Sequence, residues 1–106
     1  MNRDRMPEVI ERYGEEYMYR QLAEECAELA QAALKMIRAY HKETPLTPEV
    51  ASMNLLEEVA DVWLMLDAVF SHMLNDDQRA GFHDMYAMKE KRMYSRMLDK
   101  ETNKNN

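Results

Sequence analysis

Apolar residues recur along this chain at helical spacing rather than in alternation. Between Glu15 and His41, Leu22, Cys26, Leu29, Ala33, Met36 and Ile37 mark one stripe, which predicts an amphipathic helix. Ahead of it, Pro7 suits a first helical turn and Gly14 a stop, so a short helix over Pro7 to Tyr13 is expected after frayed residues 1–6. KETPLTP, from Lys42 to Pro48, reads as a loop, with Thr47 as N-cap and Pro48 as the first residue of a helix reaching Met73. From Leu55 to Phe70 that helix is apolar almost all the way round, which predicts burial on several sides. Asn75, Asp76 and Asp77 read as a turn and N-cap for a last helix over Asp77 to Asp99, which Gly81 would bend or interrupt near its start. The final KETNKNN, residues 100–106, has no apolar content and reads as a flexible tail.

These elements predict an all-α fold: an antiparallel helical bundle of three long helices plus a short N-terminal one. At 106 residues the chain fits one domain, expected over residues 7–99. A single core of this size leaves much surface open, so a partner subunit is expected to complete it. Composition agrees, with Gly at 2, Pro at 3 and Met at 11 among many Ala, Leu and Glu. The methionines are expected to fill gaps in the core.

Charge narrows the partners. Lys plus Arg is 14 and Asp plus Glu is 20, a formal net charge of −6, which argues against binding a nucleic acid polymer. Cys26 is the one cysteine, so no internal disulfide forms and a reducing compartment fits. No stretch has the length and hydropathy of a membrane span, and MNRDRMPEVI lacks the apolar run of a signal peptide, so a cytoplasmic location is expected.

Two short motifs break the apolar pattern: EECAEL, with Glu24, Glu25 and Glu28, and EEVADV, with Glu57, Glu58 and Asp61. Residues three apart on a helix lie about 60° apart, so Glu25 projects with Glu28 and Glu58 with Asp61. Glu24 and Glu57 flank these pairs. EECAEL taken alone reads more simply as a solvated acidic face. EEVADV lies in an apolar helix, and no basic residue sits three or four positions from Glu58 or Asp61 to pair with them. Clustered carboxylates repel, and a divalent cation removes the repulsion. All-oxygen donors favour Mg²⁺, with Mn²⁺ as a substitute, over zinc or copper. Neither motif carries the Glu-x-x-His of di-iron bundles, and His41, His72 and His83 read as surface or capping residues. Mg²⁺ held by a few carboxylates recruits phosphates and activates water. Lys89, Arg92 and Arg96 share one face of the last helix as candidate phosphate partners, while Lys91 points elsewhere. A basic stripe near a helix C-terminus also suits the helix dipole alone.

The paired motifs, in QLAEECAELAQAALK (Gln21 to Lys35) and NLLEEVADVWLML (Asn54 to Leu66), resemble the MazG-like branch of the all-α nucleoside triphosphate pyrophosphohydrolases. The Lys89 to Arg96 helix is similar to that family's third element. The likeness spans Tyr17 to Leu98 and departs from the family pattern at Val69 to Tyr86, which is longer and more polar. It implies a homodimer or dimer of dimers that cleaves a nucleoside triphosphate between the α and β phosphates. It further implies Mg²⁺ ligation by Glu25, Glu28, Glu58 and Asp61, and Glu24 as the residue that orients or deprotonates the attacking water. Lys89, Arg92 and Arg96 would meet the substrate phosphates, with Gln21 as a further substrate contact. A related hydrolase acting on phosphoribosyl-ATP or on dUTP- or dCTP-type substrates shares the same metal motif. So does a helical interaction module that has lost the chemistry.

Trp63 lies about 200° round the helix from Asp61 and reads as a core or interface residue rather than a base-stacking one. Tyr13, Tyr17 and Tyr19 read equally as packing residues or as a nucleobase platform. Cys26 reads as a buried apolar residue, since neighbouring carboxylates disfavour its thiolate.

Overall fold

The computed structural model describes residues 4–105; the expectation of fraying at residues 1–3, and the final Asn106 of the expected tail, fall outside the described residues. Four α-helices make up the fold, and no strand occurs among the described residues: α1 (Met6–Tyr13), α2 (Glu15–Tyr40), α3 (Pro48–His72) and α4 (Asp76–Asn105). They fall into two compact units, α1 to α3 through Met73 and α4 from Leu74 onward.

Local chemistry explains most element ends of the first unit. Asp4 is held in place rather than frayed: its carboxylate accepts the Met6 N–H at 3.0 Å and pairs with His72 Nε2 at 2.8 Å. That backbone hydrogen bond, then the proximity of His72, lowers the pKa of Asp4. Gly14 separates α1 from α2 at φ 88° and ψ 165°, a conformation open to glycine alone. Its N–H donates to the Ile10 carbonyl at 2.8 Å.

The end of α2 is a Schellman motif without glycine. Lys42 takes φ 58°, its N–H donates to the Ala39 carbonyl at 3.2 Å, and the Glu43 N–H reaches back to the Arg38 carbonyl at 2.9 Å. Thr47 caps α3 as expected, accepting the Val50 N–H on Oγ1 at 3.2 Å, with Pro48 in the first turn.

Helices α2 and α3 pack on each other, and α1 touches both. The buried core is Met18, Ala32 and Ala39 from α2 with Ala51, Val62 and Ala68 from α3. Alanine at four of these six positions lets the backbones approach closely. On α2 the covered positions include Met18, Leu22, Glu25, Leu29, Ala32, Met36 and Ala39, with Gln21 beside Leu22; on α3 they include Ala51, Leu55, Glu58, Val62, Met65 and Ala68, with Pro48, Val69 and Phe70 towards the ends. Both series step by three and four, the spacing of a knobs-into-holes seam. Glu25 and Glu58 are the carboxylates within it.

This seam corrects three expectations. The α2 stripe is turned from the one expected: Leu22, Leu29 and Met36 are covered, but Cys26, Ala33 and Ile37 are exposed. The apolar girdle of α3 is covered on one side only, since α1 and α2 are the only helices of this unit that pack on it. Leu56, Trp63 and Leu64 are exposed, Trp63 at 71%, so Trp63 is no core residue of this chain. Among the described methionines only Met18 is fully buried, while Met53, Met85, Met88, Met93 and Met97 are exposed.

In the second unit, Asn75 and Gln78 form a reciprocal capping box: the Gln78 N–H donates to Asn75 Oδ1, and the Asn75 N–H to Gln78 Oε1, each at 2.8 Å. Arg79 adds an ion pair to Asp76 at 2.7 Å and donates to the Leu74 carbonyl. Gly81 does not interrupt α4, which continues through it. The helix also continues past the expected end at Asp99 to Asn105, because no Pro or Gly follows to stop it.

Candidate metal centre

The site grows from two positions where the α2–α3 seam is acidic instead of apolar. Glu25 and Glu58 are half-buried, and Asp61, one turn along α3, is exposed beside them. One carboxylate oxygen from each of Glu25, Glu58 and Asp61 lies within 4.8 Å of the other two. Glu28, one turn along α2, is exposed and outside this group, but its charge acts on both Glu25 and Glu58. Two helices thus bring three of the four expected ligands together, with Glu28 beside them.

The electrostatics of this locus are unfavourable without a cation. Glu25 Oε2 and Glu58 Oε2 are closed off from solvent and have no hydrogen-bond partner. Loss of hydration raises the pKa of Glu25 first, followed by the charges of Asp61, Glu28 and Glu58. Glu58 is raised for the same first reason, then by Glu28 and Asp61. Among the described residues no Lys, Arg or His forms an ion pair with any of the four. Counter-pairing within the chain, the ordinary explanation for such carboxylates, is therefore absent among the described residues.

Glu24 sits to the side. It is exposed, and its Oε2 accepts from Gln21 Nε2 at 3.4 Å, outside the three-carboxylate group. Glu57 is exposed and adds to the charge acting on Glu58. Cys26 is exposed, contrary to its expected burial, because it follows Glu25 on the outward turn of α2.

Lys89, Arg92 and Arg96 belong to the second unit. They share one face of α4, where with Met93, Met97 and Lys100 they line a shallow recess. Tyr13 and Tyr17 stack on each other at 4.7 Å with a 25° tilt, and Arg12 lies 5.8 Å above the Tyr13 ring.

A recess next to the carboxylates extends beyond the residues that the two acidic motifs single out. Gln31, Ala32 and Lys35 on α2 and Asn54 and Glu57 on α3 join Glu28 and Glu58 around a recess of about 250 Å³. The signal was present in the spacing, since Gln31 and Lys35 follow Glu28 at three and seven residues on the same helical face.

No helix of the described residues is long and apolar enough to cross a membrane. Comparison of this chain with family models, with curated proteins and with solved structures yields no match.

Proposed function

We propose that the protein is a Mg²⁺-dependent nucleoside triphosphate pyrophosphohydrolase of the MazG-like kind. The observation that carries the reading is the convergence of Glu25, Glu58 and Asp61, with two solvent-shielded carboxylate oxygens left without partners. Such oxygens fit a hard divalent cation, Mg²⁺ or Mn²⁺, as the missing counter-charge. Glu25, Glu28, Glu58 and Asp61 would hold it. When bound, the ion supplies charge neutralisation at the phosphates and a more acidic water.

The chain's own residues would do the rest. Glu24, outside the ligand group and anchored by Gln21, orients the attacking water and takes its proton. The water oxygen bonds to the α phosphorus as the bridge to the β phosphorus breaks, leaving nucleoside monophosphate and pyrophosphate. Lys89, Arg92 and Arg96 present a cationic face suited to the polyphosphate.

The same reading makes α2 and α3 antiparallel neighbours joined through the 41–47 loop, in an assembly completed by a second copy or a dimer of dimers. The exposed apolar side of α3, with Leu56, Val59, Trp63 and Leu64, supports such an assembly. The cytoplasm, where nucleotides are abundant and Cys26 stays reduced, is the matching compartment.

Incubation with each nucleoside triphosphate and Mg²⁺, followed by ³¹P NMR, tests the reaction. Pyrophosphate with monophosphate is the expected product pair; release of orthophosphate, or no turnover across the panel, contradicts it. Phosphoribosyl-ATP, dUTP and dCTP belong in the same panel, because the carboxylates alone do not select among them.

A further inference from the structure

The recess beside the carboxylates has a composition that polyphosphate does not explain. Its wall carries the carboxylates of Glu28, Glu57 and Glu58 against the single ammonium of Lys35. With Glu28 and Glu58 given over to the cation, Glu57 and Lys35 remain as an acceptor and a donor on this wall, which suits a neutral group that carries both an amine and an acceptor. The carboxamides of Gln31 and Asn54 each offer both a donor and an acceptor. Among the described residues Gln31, Lys35, Asn54 and Glu57 make no hydrogen bond or ion pair to other side chains, so their polar ends are available. At about 250 Å³ the recess is smaller than the roughly 300–1,000 Å³ clefts that enclose whole drug-sized ligands, so it takes a fragment of a nucleotide.

We propose that this recess binds the substrate's nucleobase and selects bases that carry an exocyclic amine. Glu57 accepts from that amine. Lys35 donates to the acceptor on the same base edge, a ring nitrogen or carbonyl oxygen, and the two carboxamides complete the set. Cytosine, adenine and guanine present this donor–acceptor edge. Thymine and uracil place a carbonyl where the amine would be, and it would face the Glu57 carboxylate. Glu58 belongs to both the recess wall and the three-carboxylate group, so a base held here lies next to the phosphates. The proposal rests on the nucleotide reading of the carboxylate cluster.

Its test uses nucleoside monophosphates, so it needs no turnover. The full chain is titrated with dCMP, dAMP, dGMP and dTMP in the presence of Mg²⁺, and the side-chain amide signals of Gln31 and Asn54 are followed by NMR. The three amine-bearing nucleotides are expected to shift those signals and to bind at least about tenfold more tightly than dTMP, the scale of one charge-assisted hydrogen bond. In Glu57→Gln the ratio should fall towards one, and Lys35→Met should weaken the amine-bearing set. Equal affinity for dTMP, amide signals that do not move, or a ratio unchanged in both variants would overturn the proposal. Mn²⁺ affinity measured on the same samples separates the two readings. If the cation binds and the bases are not distinguished, the recess assignment falls and the metal centre stands; if the bases are distinguished without cation binding, the reverse holds.

Discussion

Glu25 on α2 and Glu58 on α3 meet inside an otherwise apolar seam, each with one carboxylate oxygen shut off from water and unpaired. Both carboxyls have raised pKa values in the folded chain, chiefly through lost hydration. The folded state therefore binds these protons more tightly than the unfolded one. Their contribution to stability is fully present below the ordinary carboxyl pKa of about 4.3 and is lost as pH rises through the raised values. Asp4, whose pKa is lowered, acts in the opposite sense: its contribution is lost as pH falls. Without divalent cations, urea melts are expected to show stability declining from mildly acidic to neutral pH, and Glu58→Gln should flatten that decline. An unchanged slope in the variant would contradict the assignment.

The same substitution should remove function. Glu58→Gln and Asp61→Asn are each expected to lower turnover by at least about 100-fold, since loss of outer-shell partners alone costs 10–100-fold in metal sites. Circular dichroism should show an unchanged helical signal. Glu24→Gln should cut turnover while leaving cation binding intact, because Glu24 lies outside the ligand group. Wild-type rates in all three would dismiss the mechanism.

Trp63, exposed at 71% among Leu56, Val59 and Leu64, should report on assembly. Light scattering is expected to give a mass at least twice that of the 12.6 kDa chain. Trp63→Glu should reduce it to the monomer value. A monomeric wild type would rule out the second copy.

Two backbone positions offer tests of opposite sign. Gly14 at φ 88° should resist replacement, with Gly14→Ala costing about 1–3 kcal/mol. Lys42 occupies the left-handed position that glycine fills in a Schellman motif, so Lys42→Gly should stabilise by roughly 1 kcal/mol. Denaturant midpoints in the two variants check both directions.

The helices and the starts of α3 and α4 were legible in the sequence, because Thr47–Pro48 and the Asn75–Asp77 run mark them locally, whereas α4 runs on to Asn105 past its expected end. The acidic locus was legible too, as an anomaly: Glu58 and Asp61 interrupt an apolar helix. What the sequence hid is azimuth. Cys26 and Ile37 fit an apolar stripe as well as Leu22 and Leu29 do, and only packing against α3 decides which row is covered. The girdle around Trp63 hid its exposure for the same reason, since periodicity reports apolar surface and says nothing of what covers it. Lys42 gave no warning of its left-handed backbone, because the motif that imposes it is usually written with glycine. The α2 wall of the recess was legible in the spacing of Glu28, Gln31 and Lys35, but that Asn54 and Glu57 face it needs two helices in register, which spacing along either one does not reveal.

The central claim is that these carboxylates share a cation, and Mn²⁺ binding followed by electron paramagnetic resonance tests it most directly. The wild-type chain should bind Mn²⁺ saturably, Mg²⁺ should compete, and melting should be opposed by about 2.7 kcal/mol at a 100-fold excess over the dissociation constant. Binding should be lost in Glu58→Gln and Asp61→Asn. A wild type that leaves millimolar Mn²⁺ free, or variants that bind it as well as the wild type does, would contradict the account.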